Sequence, residues 1–459
     1  MFMKKTVCEL FAGVGGFRCG LNHISESSNK QEEKWNTVWF NQWEPAEKTT
    51  QYAHDCYVYN FGKSIDLEGK ETTNINIEDV DKSQIPDFNL LVGGFPCQDY
   101  SVASTLHTSK GLEGKKGVLW WSIRDTIEEK KPPFVLLENV DRLIKSPAKQ
   151  RGRDFGVMLT CLRDQGYNVE WRVINAAEYG YQQRRRRVFI FAFKDDTIYS
   201  QKLFDANINL EQVKNILNKT GFFAKTFKIK DFNDEKIKYV KLQKEIGEVS
   251  NEFTFDFMNS GIMINGEIFT VKTQADYNGE YKTLGDILEI ESVDESFFIP
   301  EERLYYTNPS IKSSNEVDSR LSKEDRKTWQ YLKGGKKLKR TSKNGHEYVF
   351  SEGAISLIDE WDKPARTMLT SEGSFSRTTH VVKDKITGRL RLLTPTETER
   401  IQGFPTNHTK YCLTNDKVVN MPNNKRKFMM GNALVVNLIE DMERTLSEIF
   451  DEEIDNCKK

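Results

Sequence analysis

The sequence predicts an α/β protein: a doubly wound, mainly parallel sheet, with a second, irregular, partly β domain inserted before the chain returns to the first. Three observations carry this reading. Residues 1–195 alternate short apolar runs with helical patterns. Residues 196–388 lose that rhythm and are rich in Lys, Asn, Asp and Glu with scattered aromatics. A 3-4 spacing then returns at Val435, Ile439, Met442, Leu446 and Ile449, an amphipathic helix that needs a sheet to cover.

The strand candidates are Thr6–Leu10, Thr37–Phe40, Asn89–Gly93, Phe134–Glu138, Val169–Asn175 and Val188–Phe193. They are short, apolar and partly β-branched, as strands buried on both faces should be. Helical patterns cover Glu44–Tyr59, Val118–Lys130 and Phe155–Asp164. In the second, Leu119, Ile123 and Ile127 fall at four-residue spacing, and Pro132-Pro133 stops the pattern. The chain thus divides into a first domain (1–195), an inserted domain (196–388), a linking segment (389–425) and a C-terminal helix (426–459) that completes the first domain. The polar tail after Phe450 is expected to fray.

Composition narrows the class. Of 459 residues, 37% are apolar and 29% charged, which reads as soluble and globular. No apolar run is long enough to cross a bilayer. Met1–Lys5 leads into too short an apolar stretch for a secretion signal. Seven scattered cysteines suit a reducing cytosol, and no Cys-x-x-Cys or His-x-x-x-His pair offers a metal site. Net charge is −1, so any polyanion must be met locally. Gln182–Arg187 and Lys333–Lys343, the latter with Lys336, Lys337, Lys339 and Arg340, are the basic runs that could do so.

Three motifs carry chemistry. Gly93-Gly94-Phe95-Pro96-Cys97-Gln98 puts a cysteine after a proline at the end of an apolar run, a nucleophile candidate on a rigid turn. Glu138-Asn139-Val140 ends the next run with a carboxylate, an acid or hydrogen-bond partner beside it. Glu9-Leu10-Phe11-Ala12-Gly13-Val14-Gly15-Gly16-Phe17 follows the first strand, where glycines let backbone N–H groups approach a ligand at a helix N-terminus. Gly13-x-Gly15 begins like a dinucleotide fingerprint, but Arg18 stands at the third glycine position and argues against a nicotinamide or flavin dinucleotide. Asn41-Gln42-Trp43-Glu44 follows the second strand; there a carboxylate can accept ribose hydroxyls and an indole can cover an adenine. Alone, each motif also fits a bland structure: an inert buried cysteine, a tight turn, a core tryptophan.

The ordered set is more specific. Phe-x-Gly-x-Gly-Gly from Phe11, Gly-Phe-Pro-Cys-Gln from Gly94, Glu-Asn-Val from Glu138, Gln-x-Arg-x-Arg from Gln183 and Gly-Asn-x-x-Val from Gly431 together resemble the DNA (cytosine-5)-methyltransferase family of the bacterial restriction–modification type. The resemblance covers residues 6–195 and 389–440 and implies an S-adenosylmethionine-dependent, Rossmann-like core, with 196–388 as the target-recognition domain. It implies that Cys97 attacks carbon 6 of cytosine and that Glu138, holding its proton, meets ring nitrogen N3. Arg187 then holds the carbonyl oxygen, with Arg185 as its partner. For S-adenosylmethionine it implies Phe11, Ala12, Gly13, Gly15 and Gly16 in the binding loop and Trp43 stacked on adenine. Pro96 falls beside the methyl group, Leu119 in the adenosine wall, and Asn432 and Ala433 at a late contact. Two positions depart from the pattern. Gln42 stands where a ribose-binding acid is usual, with Glu44 as the substitute, and Asn76, before Ile77, stands where an adenine-binding Asp is usual. The amide oxygen of Asn76 keeps an acceptor there.

Double-stranded DNA is the implied partner, with the cytosine flipped out under a loop spanning Ser101 to Gly117. Gln98, Ser101 and Lys116 are the contacts expected there, and Arg377, in the polar stretch Ser371–Thr379, is expected at the reading edge. A cognate restriction endonuclease, a monomeric state and a bacterial cytoplasmic location complete the expectation. A transfer-RNA methyltransferase would use the same chemistry, but the large insertion favours a DNA reader. A non-catalytic DNA-binding regulator is disfavoured by intact Cys97, Glu138 and Arg187.

Overall fold

The computed structural model describes residues 4–24, 34–45, 50–95, 119–204, 208–308, 310–311, 321–342 and 345–457. Six strands occupy the predicted places: β1 (Thr6–Leu10), β2 (Asn36–Asn41), β3 (Leu90–Gly94), β4 (Phe134–Val140), β5 (Tyr167–Asn175) and β6 (Arg186–Lys194). Three further strands, β7 (Lys238–Lys241), β8 (Ser260–Ile264) and β9 (Glu267–Val271), join them in one sheet of order β2-β1-β3-β4-β6-β5-β8-β9-β7. The run β2-β1-β3-β4 is parallel, and every pairing beyond β4 is antiparallel. The change has a simple cause. A parallel return needs a crossover of a dozen residues or more, and residues 176–185, between β5 and β6, are too few.

Alternation along the strands divides the core between two faces. Leu90, Val92, Phe134, Leu136, Phe189, Phe191 and Phe193 face one cluster, while Leu91, Val135, Leu137, Val188, Ile190 and Ala192 face the other. The first is covered by α1 (Gly16–Leu21) and the second by the helices Trp120–Lys130 and Arg153–Asp164. The long C-terminal helix, Val436–Cys457, lays Leu438, Ile439, Met442, Leu446, Ile449 and Phe450 on the first face beside α1. This is the sheet that its 3-4 spacing required.

Two expectations need correction. Helix α2 spans Tyr52–Phe61 rather than Glu44–Tyr59. Pro45 disfavours helix at Glu44, and the Glu44 backbone is instead clamped by Gln51: its N–H donates to Gln51 Oε1 at 2.7 Å and its carbonyl accepts from Gln51 Nε2 at 2.8 Å. The tail after Phe450 does not fray but stays helical to Cys457. Glu453 is buried there and accepts the Tyr199 N–H at 2.9 Å. Past the break in composition at residue 196 the sheet continues, because β7–β9 extend it. Beyond β9 the insertion becomes irregular as expected. It holds the exposed ribbon β10 (Lys336–Thr341) with β11 (Glu347–Glu352) and most of a short pair, β12 (Val381–Lys383) with β13 (Leu390–Leu392). The chain then returns through the linking segment as the helix Pro395–Gln402, the hairpin β14 (Tyr411–Thr414) with β15 (Lys417–Asn420), and the helix Asn423–Asn432.

Candidate active site

The glycine loop leaves β1 with Phe11, Gly13 and Gly15 all at positive φ, 55°, 58° and 87°. Ala12 N–H donates to the Asn41 carbonyl at 3.0 Å, and Gly13 N–H donates to Gln42 Oε1 at 2.8 Å, so the ends of β1 and β2 are tied together. A Cβ on Gly15 would fall 2.4 Å from the Phe61 ring, whereas one on Gly13 would meet nothing within 4 Å. The loop is therefore packed on one side and open on the other. His408, from the linking segment, braces it from behind: its Nε2 is 2.7 Å from the Val14 carbonyl, and burial holds the imidazole below its usual pKa.

Beneath the loop, Glu9 is buried and accepts from Tyr57 Oη at 2.9 Å, while Arg18 lies over the Phe61 ring at 4.7 Å. Burial pushes the Glu9 carboxyl up to about 7, against the lowering effects of Tyr57 and Arg18. Arg18 thus belongs to a polar knot under the turn, where a third glycine would leave Glu9 without its cation.

The loop fits an adenosyl ligand. Trp43 follows β2 directly, is half-buried and makes no ring contact among the described residues, so its indole faces are not stacked on another ring. Gln42 spends its carbonyl oxygen on Gly13 and keeps its amide as a donor. Asn76 caps a short helical turn, accepting the Glu78 N–H at 3.4 Å, and Ile77 beside it is buried in the second core cluster with Trp39 and Phe95. Leu119 opens the helix Trp120–Lys130 and packs on that same cluster. Asn432 ends the helix Asn423–Asn432 in an exposed position, with Ala433 as its cap.

Glu138 and Arg187 stand on the rim where β4 ends and β6 begins. Arg187 Nε donates to Glu138 Oε1 at 2.7 Å, and the two side chains are 16% and 12% exposed. Gly94, the last residue of β3, lies opposite Glu138 in the ladder. Asn139, buried, donates from Nδ2 to the Phe95 carbonyl at 3.0 Å. It thereby fixes the chain at the last described residue before Pro96 and Cys97. Pro96, Cys97, Gln98, Ser101 and Lys116 lie outside the described residues.

Arg185 sits two residues from Arg187 on the chain but faces elsewhere. It is buried and donates to the carbonyls of Met368, Gly431 and Asn432 at 3.0, 3.2 and 3.4 Å. Burial depresses its pKa, with Arg187 acting in the same direction. Its neighbours do similar work: Gln182 donates to the Arg400 carbonyl at 2.5 Å, and Gln183 donates to Gln402 Oε1 at 3.1 Å and accepts the Met368 N–H at 3.1 Å. The basic run is thus a junction where the inserted segment, the linking helix and the C-terminal part of the core meet. Beside it, the turn Thr370–Gly373 lies main chain to main chain on the helix Asn423–Asn432. A Cβ on Gly431 would fall 2.4 Å from Leu369 and Thr370 backbone, and one on Gly373 would fall 2.9 Å from the Asn424 carbonyl.

Arg377 is engaged within the insertion: it pairs with Glu352 at 2.6 Å and donates to the Gly353 carbonyl at 2.5 Å. Hydroxyls of Ser371 and Thr378 bond each other at 2.8 Å. Lys333 is buried, donates to the Leu357 carbonyl at 3.1 Å and is pulled down to about 8 by burial, and Lys336 turns in toward Leu332 and Glu352. Lys337, Lys339 and Arg340 are the members of that run which are exposed.

Sequence reasoning missed Asn139 as the holder of Phe95, His408 as the brace of Val14, and the Glu9–Tyr57–Arg18 knot. Asn139 lay inside a quoted motif. His408 is separated from its partner by 394 positions, and no local pattern announces such a contact.

A glycine turn at the first strand, an adjacent half-exposed indole and a carboxylate–guanidinium pair on the same sheet define an α/β methyltransferase. Solved structures with this fold include the S. pombe Dnmt2 methyltransferase (TM-score 0.51, 14% identity, 97% of this chain and 98% of that one) and the Entamoeba histolytica methyltransferase EhMeth (TM-score 0.51, 14% identity, 98% and 99%). The family model for C-5 cytosine-specific DNA methylases matches residues 5–448, and the chain belongs to that family: it is a DNA (cytosine-5-)-methyltransferase. It is 44% identical to the type II methyltransferase M.Sau3AI of Staphylococcus aureus over 91% of this chain and 93% of that protein. It is 32% identical to the type II methyltransferase M.HhaI of Haemophilus parahaemolyticus over 41% of this chain and 49% of that one. Among the described residues no helix is long and apolar enough to cross a membrane.

Proposed function

We propose that the chain methylates carbon 5 of a flipped-out cytosine in a short, specific duplex sequence, as the protective methylase of a restriction–modification system in the bacterial cytoplasm. The observation that carries this reading is the Glu138–Arg187 pair, one strand from the β3 end that leads into Cys97. A cytosine edge presents an acceptor oxygen, an acceptor nitrogen and an amino donor. Arg187 can donate to the oxygen, and Glu138, when it carries a proton, can donate to N3 while accepting from the amino group.

When bound, S-adenosylmethionine supplies an electrophilic methyl group. Phe11–Gly16, Gln42, Trp43, Asn76, Leu119 and Asn432–Ala433 would hold it, with Glu44 the nearest carboxylate for a ribose. Addition of the Cys97 thiolate to carbon 6 forms a C–S bond and moves the ring electrons toward N3 and carbon 5, which makes carbon 5 nucleophilic. Glu138 gives N3 its proton and Arg187 offsets charge on the oxygen. Once carbon 5 has taken the methyl group, loss of the carbon-5 proton returns electrons to expel the thiolate, and N3 gives its proton back to Glu138. Arg185 acts at a distance, by holding the main chain on which Arg187 and Asn432 stand.

For DNA, the ribbon β10–β11 is the favoured reading element. Its outward face pairs Lys337 with Ser351, Lys339 with Val349 and Thr341 with Glu347, all exposed. A two-stranded ribbon fits a major groove, where lysines meet phosphate or guanine and hydroxyls meet base edges. Labelled methyl transfer to duplex DNA and to transfer RNA, followed by bisulfite sequencing of DNA from expressing cells, tests the reading and names the site. Incorporation confined to RNA would sink it. A covalent adduct on DNA containing 5-fluorocytosine tests the Cys97 step.

A further inference from the structure

Beyond Arg187 the rim continues along the strands that the insertion adds. β5 runs antiparallel to β6, β8 to β5 and β9 to β8, so Asn175, Ser260 and Lys272 follow Arg186 along the same edge. A cleft of about 720 Å³ opens there. Its cations are Arg186, Lys230 and Lys272; its carboxylates are Glu178 and Asp276, which leaves one net positive charge. Lys230 and Lys272 are exposed, and neither has an ion-pair partner among the described residues. Glu178 is engaged by Asn175 Nδ2 at 3.2 Å, and Arg186 is only loosely paired, 3.6 Å from Asp141.

The wall is built rather than draped. Lys230 N–H donates to the Gln274 carbonyl and Asp276 N–H to the Lys228 carbonyl, both at 2.9 Å, and Ile229 bridges Ala275. This zipper holds Lys230 beside the segment that carries Lys272. Lys282 N–H donates to the Gly180 carbonyl at 2.8 Å, which anchors the loop to the turn between β5 and β6. Gln274, exposed, adds a neutral amide donor, while the Tyr281 hydroxyl donates to the Tyr277 carbonyl at 3.2 Å.

We infer that this cleft binds the phosphate backbone of the duplex on one side of the flipped cytosine, a contact surface created by the sheet extension β7–β9. The inference rests on the proposed function above. From β6 to β9 are three strand spacings of about 4.8 Å, roughly 14 Å. At 3.4 Å of rise per base pair, that reaches about four base pairs from the target. An unpaired lysine pair with an amide donor suits phosphate oxygens, which accept hydrogen bonds and carry charge but display no sequence.

The test uses the full chain and synthetic duplexes of about 30 bp carrying the site found by bisulfite sequencing, either intact or cut back to two base pairs beyond the cytosine on one side. For the wild type, trimming one flank, and not the other, weakens binding by about tenfold and lowers the salt slope. The variant K230Q/K272Q binds the intact duplex as weakly as the wild type binds the trimmed one. Its salt slope falls by up to about 1.8, and its turnover at saturating DNA is unchanged. K230E/K272E weakens binding further, with far-ultraviolet circular dichroism confirming the fold of both. A wild-type salt slope and affinity in K230Q/K272Q, or indifference to trimming on either side, overturns the inference. Failure of the wild type to methylate or bind any duplex appears before a variant is made, and marks failure of the parent reading instead.

Discussion

The strands β1–β6 and the inserted segment solve the same problem, holding polar groups in place, by opposite means. In the first, the chain around the candidate site is fixed through main-chain carbonyls: Asn139 takes the Phe95 carbonyl, His408 the Val14 carbonyl, and Arg185 three carbonyls at once. In the second, charged side chains more often hold one another. Arg366 and Lys333 converge on Asp359, Glu372 meets His380 at 2.8 Å, and Asp384 reaches Arg391 of the linking segment at 3.0 Å. Backbone anchors tie function to the path of the chain. Side-chain networks allow the path to vary provided charges still meet.

That contrast can be broken most sharply at the chemistry. Cys97→Ser should abolish methyl transfer while S-adenosylmethionine affinity, measured by calorimetry, stays within about twofold; turnover near the wild-type rate would remove Cys97 from its role. Arg187→Ala should lower kcat by about 100- to 1,000-fold with a smaller change in KM. Arg185→Met should act mainly on stability, costing on the order of 3 kcal/mol in urea unfolding because buried carbonyls lose their donor. A loss confined to kcat would make it a direct participant.

Glu9→Gln separates the knot under the glycine loop from its charge. The folded carboxyl titrates at about 7 against an ordinary 4.5. Its stabilising protonated form is therefore complete below pH 4.5 and lost as pH rises through 7. With one pH unit worth about 1.4 kcal/mol, the wild type should lose about 3 kcal/mol across that window from this group. Glu170, also raised to about 7 by burial, adds to the same fall. The variant should flatten the profile by the Glu9 part, and an unchanged profile would rule out Glu9 as its source. The smallest effect is expected on the ribbon: K337Q/K339Q should reduce the salt slope of DNA binding by up to about 1.8 and leave kcat intact.

The strands were legible because burial on both faces leaves continuous apolar runs such as Phe134–Leu137 and Val188–Phe193, and their ends shift by two residues at most. The start of α2 was not legible, because periodicity continued through Pro45 while the Gln51 clamp is a tertiary choice. The sheet extension was hidden by composition: β7 is Lys-Tyr-Val-Lys, an edge strand with exposed charge, which reads as loop. The motifs announced Glu138 and Arg187 together. They could not distinguish Arg185, whose neighbours along the chain are the same but whose partners come from residues 368, 431 and 432.

The close approach across one seam, of Gly373 to Asn424 and of Gly431 to the backbone of Leu369 and Thr370, bears on any exchange of the inserted segment. A foreign segment grafted into this chain would have to bring a residue lacking a side chain at the position of Gly373, and lay its own main chain on Gly431. Crossover points between Gly373 and Asn424 would split that interlock, whereas a graft running on through Gly431 would carry it over whole. The seam thus sets where such chimaeras can be joined.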